Sequence, residues 1–282
     1  SGYHLIVLAK NYNGYKNLIR LVSNSWVDGY YMRPRTDRAD LEKYHEDLIV
    51  CSACIAGEVP AKILKGDIAG AREACEWYHN LFGDDYYLEL QRHKVPDDPS
   101  LLANREAYEL QQKANKVLIE FAKEYGIKLV CTNDCHFEDK ETAEAHDHLL
   151  CIATGKDLDD PNRMRYSKQE WFKTRQEMND VFSDIPEALS NTLEVLDKVE
   201  IYSIDHGPIM PFFPIPESFG TEEQLRQRVS EQDLYKEFTS DENGENQLPP
   251  EEGQKVIDRL GGYDKIYRIK FEAEYLRHLA YE

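Results

Sequence analysis

Four short apolar runs constrain the fold of this chain most tightly: "LIVLAK" (5–10), "DLIVCSA" (47–53), "DYYLELQ" (85–91) and "IKLVCTN" (127–133). They do not alternate polar with apolar residues, so each is expected as a strand in a sheet covered on both faces. Between the later runs lie helical patterns. "DIAGAREACEWYHNLF" (67–82) places Ala71, Ala74, Cys75, Tyr78 and Phe82 at helical spacing. "NREAYELQQKANKVLIEFAKEYG" (104–126) is charged on one side and ends at Gly126, a helix stop. Alternating strand and helix predicts an α/β fold with a mainly parallel layer or a barrel.

After about residue 140 the strand signals fade. "KETAEAHDHLLCIATG" (140–155) reads as a helix closed by Gly155. Thr174–x–x–Glu177, Asp184–x–x–Glu187 and Thr221–x–x–Gln224 are capping-box patterns ahead of further helices. "GPIMPFFPIP" (207–216) is too rich in proline for a helix and reads as an extended linker. "DENGENQLPPEEG" (241–253) reads as a polar loop. The closing helix "YDKIYRIKFEAEYLRHLAYE" gathers Ile266, Ile269, Tyr275, Leu276 and Leu279 near one stripe and carries no stop signal, so the chain reads as cut inside it.

The net charge is −19 over 282 residues, and both the first 200 residues and the remainder are acidic. Gripping duplex DNA through its phosphates needs clustered Lys and Arg, so this chain alone is a poor candidate for that task. No run reaches the roughly 18 apolar residues of a membrane span and no leader opens the chain. The expectation is a soluble, cytoplasmic protein without a membrane partner. Its six cysteines (51, 54, 75, 131, 135, 151) are then thiols or metal ligands rather than disulfides.

In parallel α/β layers chemistry gathers where strands end. Three of the four runs end in ligand-competent residues: Cys54; Glu89, Gln91, Arg92 and His93; and Asn133, Asp134, Cys135 and His136. Asp134 and His136 are two apart, so both can reach one divalent ion; an Asn-Asp turn is the competing explanation. Cys51 and Cys54 form a CxxC, but no second pair exists for a zinc ribbon, and Cys51 lies in the apolar run. His93 follows a strand without a spaced partner. His146 and His148 point to different faces of their helix and read as surface residues. By pattern alone His4, at a strand's opening, reads as structural. Phosphate-binding glycine loops, GxSxG and HExxH are absent.

Several stretches in one order carry a resemblance: "YHLIVLAKNYNGYKNLIRLVS" (3–23), "SACIAGEVP" (52–60), "TNDCHF" (132–137), "AHDHLLCIATGKDLDDPNRMRY" (145–166), "RQEMNDVFSDIPEALSNTLEV" (175–195) and "LGGYDKIYRIKFEAEYLRHLAYE" (260–282). Together they resemble the alpha subunits of bacterial replicative DNA polymerase III, from the PHP domain into the start of the polymerase core. The resemblance implies an irregular (β/α)7 PHP barrel, here incomplete and lacking its first strands, followed by a mainly α-helical tail. It implies a PHP domain over 1–200, a proline-rich linker over 201–220 and the helical start of the polymerase core over 221–282. It places metal ligands on His4, reversing the pattern reading, and on Cys54, Asp134 and His136, with Glu89, His93 and Asn133 as neighbours of the site. The implied cofactor is zinc or manganese in the PHP site, with magnesium at a polymerase site outside this chain.

The function so implied is DNA-directed DNA synthesis by the full-length subunit, with DNA, dNTPs, the polymerase core and other replicase subunits as partners. The PHP module is then either a 3′–5′ exonuclease or a structural platform, and this fragment alone is expected to be inactive. The alternative is a stand-alone metal-dependent phosphoesterase of the PHP type.

Overall fold

The computed structural model describes residues 2–97, 105–208, 211–241, 244 and 247–281. Two compact units divide between Asp205 and His206. The first contains strands β1 (Ile6–Ala9), β2 (Leu48–Cys51), β3 (Tyr86–Gln91) and β4 (Lys128–Thr132). Its helices are α1 (Tyr12–Val27), α2 (Arg38–Tyr44), α3 (Glu58–Leu64), α4 (Ile68–Phe82), α5 (Glu106–Tyr125), α6 (Ala143–Thr154), α7 (Arg175–Phe182) and α8 (Pro186–Asp197).

The four strands form one sheet in the order β1-β2-β3-β4. β2 runs parallel to β3, and β3 to β4 with Leu88 opposite Leu129 and Gln91 opposite Thr132. β1 departs from the parallel expectation: it lies antiparallel to β2, with Ile6 opposite Cys51. It also alternates exposed and half-buried side chains, whereas every residue of β2 and β3 is buried. An edge strand solvated on one side has this alternating pattern.

Both faces of the sheet are covered, as the unbroken apolar runs require. Val50, Leu88, Leu90 and Leu129 pack with Ala71, Cys75, Tyr78, Leu118 and Phe121 of α4 and α5 in the main core. On the other face Ile49, Cys51, Tyr87 and Val130 meet Val195 of α8. α8 also covers the outer side of β4: Asn191 Nδ2 donates to the Leu129 carbonyl at 2.8 Å, and Lys128 donates to Glu194 at 2.6 Å. Occupying an exposed carbonyl in this way blunts a sheet edge. Toward the carboxyl ends of β3 and β4 this second face turns polar, with Glu89, Gln91 and Thr132.

Gly126 and Gly155 close α5 and α6 in left-handed conformation, φ +69° and +64°. Thr174 caps α7 through a reciprocal box with Glu177. The box expected at Asp184 does not form. Ile185 is the cap residue, Pro186 opens the helix, and the Asp184 carboxylate instead receives two bonds from Arg92 at 2.5 and 2.9 Å. A bidentate guanidinium outbids a backbone N–H for that carboxylate.

The second unit is helical: α9 (Glu222–Arg228), α10 (Glu231–Thr239), α11 (Pro250–Leu260) and α12 (Tyr263–Tyr281). They enclose Leu225, Leu234, Ile257, Ile266 and Tyr267. Thr221 and Gln224 form the expected capping box, and Ser230 and Asp233 form another. The loop expected over 241–253 ends earlier, because Pro250 starts α11. On α12 only the first half of the apolar stripe packs; Leu276 and Leu279 are exposed. No helix among the described residues is long and apolar enough to cross a membrane.

The turn from β2 into α3 is one of the tight points of the first unit. A Cβ on Gly57 would lie 2.0 Å from the Ser52 carbonyl oxygen, so a side chain there must displace backbone. Replacing Gly57 with Ala is expected to destabilise the protein by about 1–3 kcal/mol, read as a melting midpoint lower by several degrees. An unchanged midpoint would show that the turn has slack.

Candidate functional site

Three corners at the carboxyl ends of β2, β3 and β4 bring the candidate side chains together. At the first, Ser52 leaves β2 with its N–H bonded to the Tyr87 carbonyl at 3.0 Å, and its hydroxyl accepts from the Glu89 N–H at 2.9 Å. Ala53 then takes a left-handed φ of +62°, strained for a residue with a Cβ. The reversal brings Cys54 Sγ to 3.5 Å from His4 Nδ1. His4 is held by its own N–H, which donates to the Ala56 carbonyl at 3.0 Å. Burial pushes the Cys54 thiol upward; a backbone bond to Ala56 opposes this, and the charges of Asp134 and Glu89 add to it.

The second corner carries buried polar groups. Glu89 accepts from the Thr132 hydroxyl and, at 3.0 Å, from Gln91 Nε2. Burial is the main cause raising the Glu89 carboxyl above its usual range, and Asp134 adds to it. Glu89 Oε2 and Gln91 Oε1 are buried without a protein hydrogen-bond partner. Unsatisfied buried oxygens are expensive unless a cation, a proton or water meets them.

At the third corner Asn133 is buried, and its Nδ2 donates to the carbonyls of Gln169 and Trp171 at 2.8 and 2.7 Å. Asp134 takes φ +44°. Its Oδ1 lies 3.5 Å from His136 Nε2, and both side chains keep access to solvent. The His136 ring packs against Tyr166 and His146, with centroids 4.6 and 5.9 Å away. Beneath the corner His93 is enclosed. Its Nε2 is 2.9 Å from the Asn133 carbonyl, and Gln111 and Glu170 stand at 3.0 and 3.3 Å from Nδ1. Burial holds its pKa below the ordinary histidine value, against the upward pull of Glu170. Its neutral ring therefore carries the proton on Nε2, donating to Asn133.

Of the residues singled out from sequence, His4 meets Cys54 and Asp134 meets His136. The Asp134 charge reaches Cys54 and Glu89 alike, so the two pairs face a common, negatively biased region. Their sulfur, imidazole and carboxylate donors, with the free Glu89 oxygen, suit a transition-metal ion. Among the described residues, however, no three His, Cys, Asp or Glu side chains converge on one point; the donors stand as pairs. His93 is engaged by the Asn133 carbonyl and by the Gln111 and Glu170 side chains, and Asn133 spends its Nδ2 on backbone while its Oδ1 stays buried without a protein partner. Tyr166 and Glu170 escaped the sequence reading, and His146, expected as a surface residue, packs instead against His136, Phe137 and Tyr166. Nothing in "AHDHLL" signals that His146 faces His136, since the partner lies outside its helix.

Comparison with known proteins follows the same lines. Residues 1–93 match the PHP domain family. The chain is 40% identical over 243 residues to the DNA polymerase III subunit alpha of Borreliella burgdorferi, covering 84% of this chain and 20% of that protein. It is 33% identical over 294 aligned residues to that of Campylobacter jejuni, covering 99% and 23% respectively. For Thermus aquaticus the figures are 35% over 233 residues, 80% and 18%. The chain spans about a fifth of the length of the curated relatives it matches.

Tyr166 arrives on a segment anchored by a buried ion pair. Arg163 grips Asp147 of α6 through two bonds of 2.6 and 2.7 Å. The guanidinium bond holds the Asp147 carboxyl below its ordinary value of 3.8. A depressed folded-state pKa contributes stability that is complete above the unfolded value and fades as pH falls through the folded one. Asp147→Asn is therefore expected to lower the melting midpoint at about pH 7 and to differ much less from the parent at about pH 2.5. An equal gap at both pH values would remove the ion pair from the explanation.

Proposed function

From the homology of this chain to DNA polymerase III alpha subunits, we propose that it is the PHP part of such a subunit together with the start of the polymerase core, and that its strand-end residues hold a divalent metal ion. The PHP part is assigned to 1–200, the proline-rich connection to 201–220 and the core's first helices to 221–282. The four-stranded sheet is read as a portion of an irregular (β/α)7 barrel. DNA-directed DNA synthesis on a DNA template with dNTPs, its magnesium ions, the other replicase subunits and a cytoplasmic setting belong to the whole protein and to the same proposal.

The observation that carries the metal reading is the pairing of His4 with Cys54 beyond β2 and of Asp134 with His136 beyond β4, with the buried Glu89 on β3, the strand between them. His4 Nδ1, Cys54 Sγ, Asp134 Oδ1 and His136 Nε2 would hold the ion; the mixed nitrogen and sulfur donors favour zinc, with manganese next. When bound, such an ion lowers the pKa of a water and neutralises phosphate charge. The residues themselves supply the rest. The strained corners at Ala53 and Asp134 aim the donors, and the negative bias at Cys54 and Glu89 favours a cation over an anion.

A stand-alone phosphoesterase is the weaker reading. The alignment with the Campylobacter jejuni subunit covers 99% of the chain, so the helical second unit belongs to the homology as well as the sheet. Within the subunit we assign the module the role of a metal-stabilised platform, because cationic groups to grip a DNA phosphate are scarce at the site. Lys173 acts on His93 and Cys135, and burial pushes it down to about 8.

Elemental mass spectrometry on the chain, purified without chelator or histidine tag, is expected to find about one zinc or manganese per molecule. Asp134→Ala is expected to lose it. A metal-free parent chain would overturn the metal reading. In the full-length subunit, Asp134→Asn with unchanged 3′–5′ exonuclease action would support the platform role, and loss of that action would replace it with the nuclease role.

A further inference from the structure

The candidate ligands Asp134 and His136 are bracketed by two buried residues that touch neither of their functional atoms. His93, 3% exposed, directs Nε2–H at the carbonyl of Asn133, the residue before Asp134. Gln111 of α5 fixes the ring from behind: its Oε1 accepts from the His93 N–H at 2.8 Å, and its Nε2 donates to Nδ1 at 3.0 Å. Glu170, 2% exposed, stands 3.3 Å from Nδ1. Its carboxylate also gathers the Ser167 N–H, the Ser167 hydroxyl and the Gln169 N–H at 3.0, 2.5 and 2.9 Å. Its own carbonyl accepts the His136 N–H at 2.8 Å.

One residue thus holds the main chain before Asp134 and the other holds the main chain of His136, and the two meet in the interior. A left-handed Asp134 at φ +44° is a conformation that its surroundings must impose. The 167–171 strap supplies the upper half of that restraint through the Asn133 amide bonds to Gln169 and Trp171. His93 supplies the lower half.

We propose that His93 and Glu170 are a buried positioning pair that locks the Asn133–His136 corner and thereby sets the affinity of the site for its ion. The second part of this statement rests on the metal reading above; the first does not.

Backbone hydrogen exchange on the full chain in excess chelator tests the first part. In His93→Leu the amides of His136 and Phe137 are expected to exchange at least tenfold faster than in the parent, while those of the β3–β4 ladder change by less than about twofold. His93→Gln, whose amide can still donate to Asn133, is expected to restore most of the protection. Equal acceleration of corner and ladder, or none at the corner, overturns the pair as a local lock. Should His93→Leu fail to fold, Glu170→Gln replaces it with the same expected selectivity. Zinc affinity by chelator competition tests the second part, with a loss of about tenfold or more in His93→Leu and recovery in His93→Gln. Unchanged zinc affinity in a variant whose corner exchanges faster overturns the link to the ion. A parent chain that takes no zinc sinks the metal reading, and the exchange result still decides the lock.

Discussion

The structure depends on β3. It lies between two parallel partners and buries all six of its side chains, Tyr86 to Gln91. A strand in that position leaves no route to water for any polar atom it carries. Its apolar half satisfies the condition by packing Leu88 and Leu90 against α4 and α5. Its polar half, Glu89 and Gln91, must find partners on the neighbouring strand ends. Ser52 and Thr132 there, and Asn115 on α5 by donating to the Gln91 carbonyl at 2.9 Å, meet part of that need, while Glu89 Oε2 and Gln91 Oε1 stay without a protein partner. The corners after β2 and β4 are therefore shaped as much by what β3 needs as by what they display.

That dependence gathers negative charge. Glu89, Asp134 and the Cys54 thiol influence one another, and Lys173, which burial pushes down to about 8, sits over the Trp171 ring at 3.5 Å. Acids gathered in this way disfavour one another's ionisation, and a cation placed among them would relieve that cost.

Much of this was legible in the sequence. The four strands fall within the four apolar runs, and Gly126, Gly155, Thr174 and Thr221 mark helix ends where their chemistry says they should. The misses have local causes. β1 reads in the sequence as covered on both faces because a four-residue edge strand holds too few alternations to distinguish it from a buried one. Asp184 was misread as a cap because Arg92, 92 residues away, claims its carboxylate. Helix α1 hides its signal: Tyr12, Ile19, Val22 and Trp26 remain exposed while Gly14, Leu21 and Ser25 are buried, so no clean apolar stripe announces it. At the site, sequence spacing found Asp134 with His136, and the family resemblance found His4. Neither could show that Glu170 meets His93 or that His146 faces His136, contacts that arise only when α6 and the 167–171 strap fold over the β4 corner.

The left-handed backbone at Asp134 narrows what can follow it in the history of such a protein. Few L-residues tolerate that conformation; Asn and Gly are the chief ones besides Asp. Both lack the carboxylate. The replacements easiest on the backbone are thus those that silence the corner chemically while leaving its shape intact. Shape and charge at this corner are therefore separable: the backbone turn can persist in a variant that no longer carries the acid.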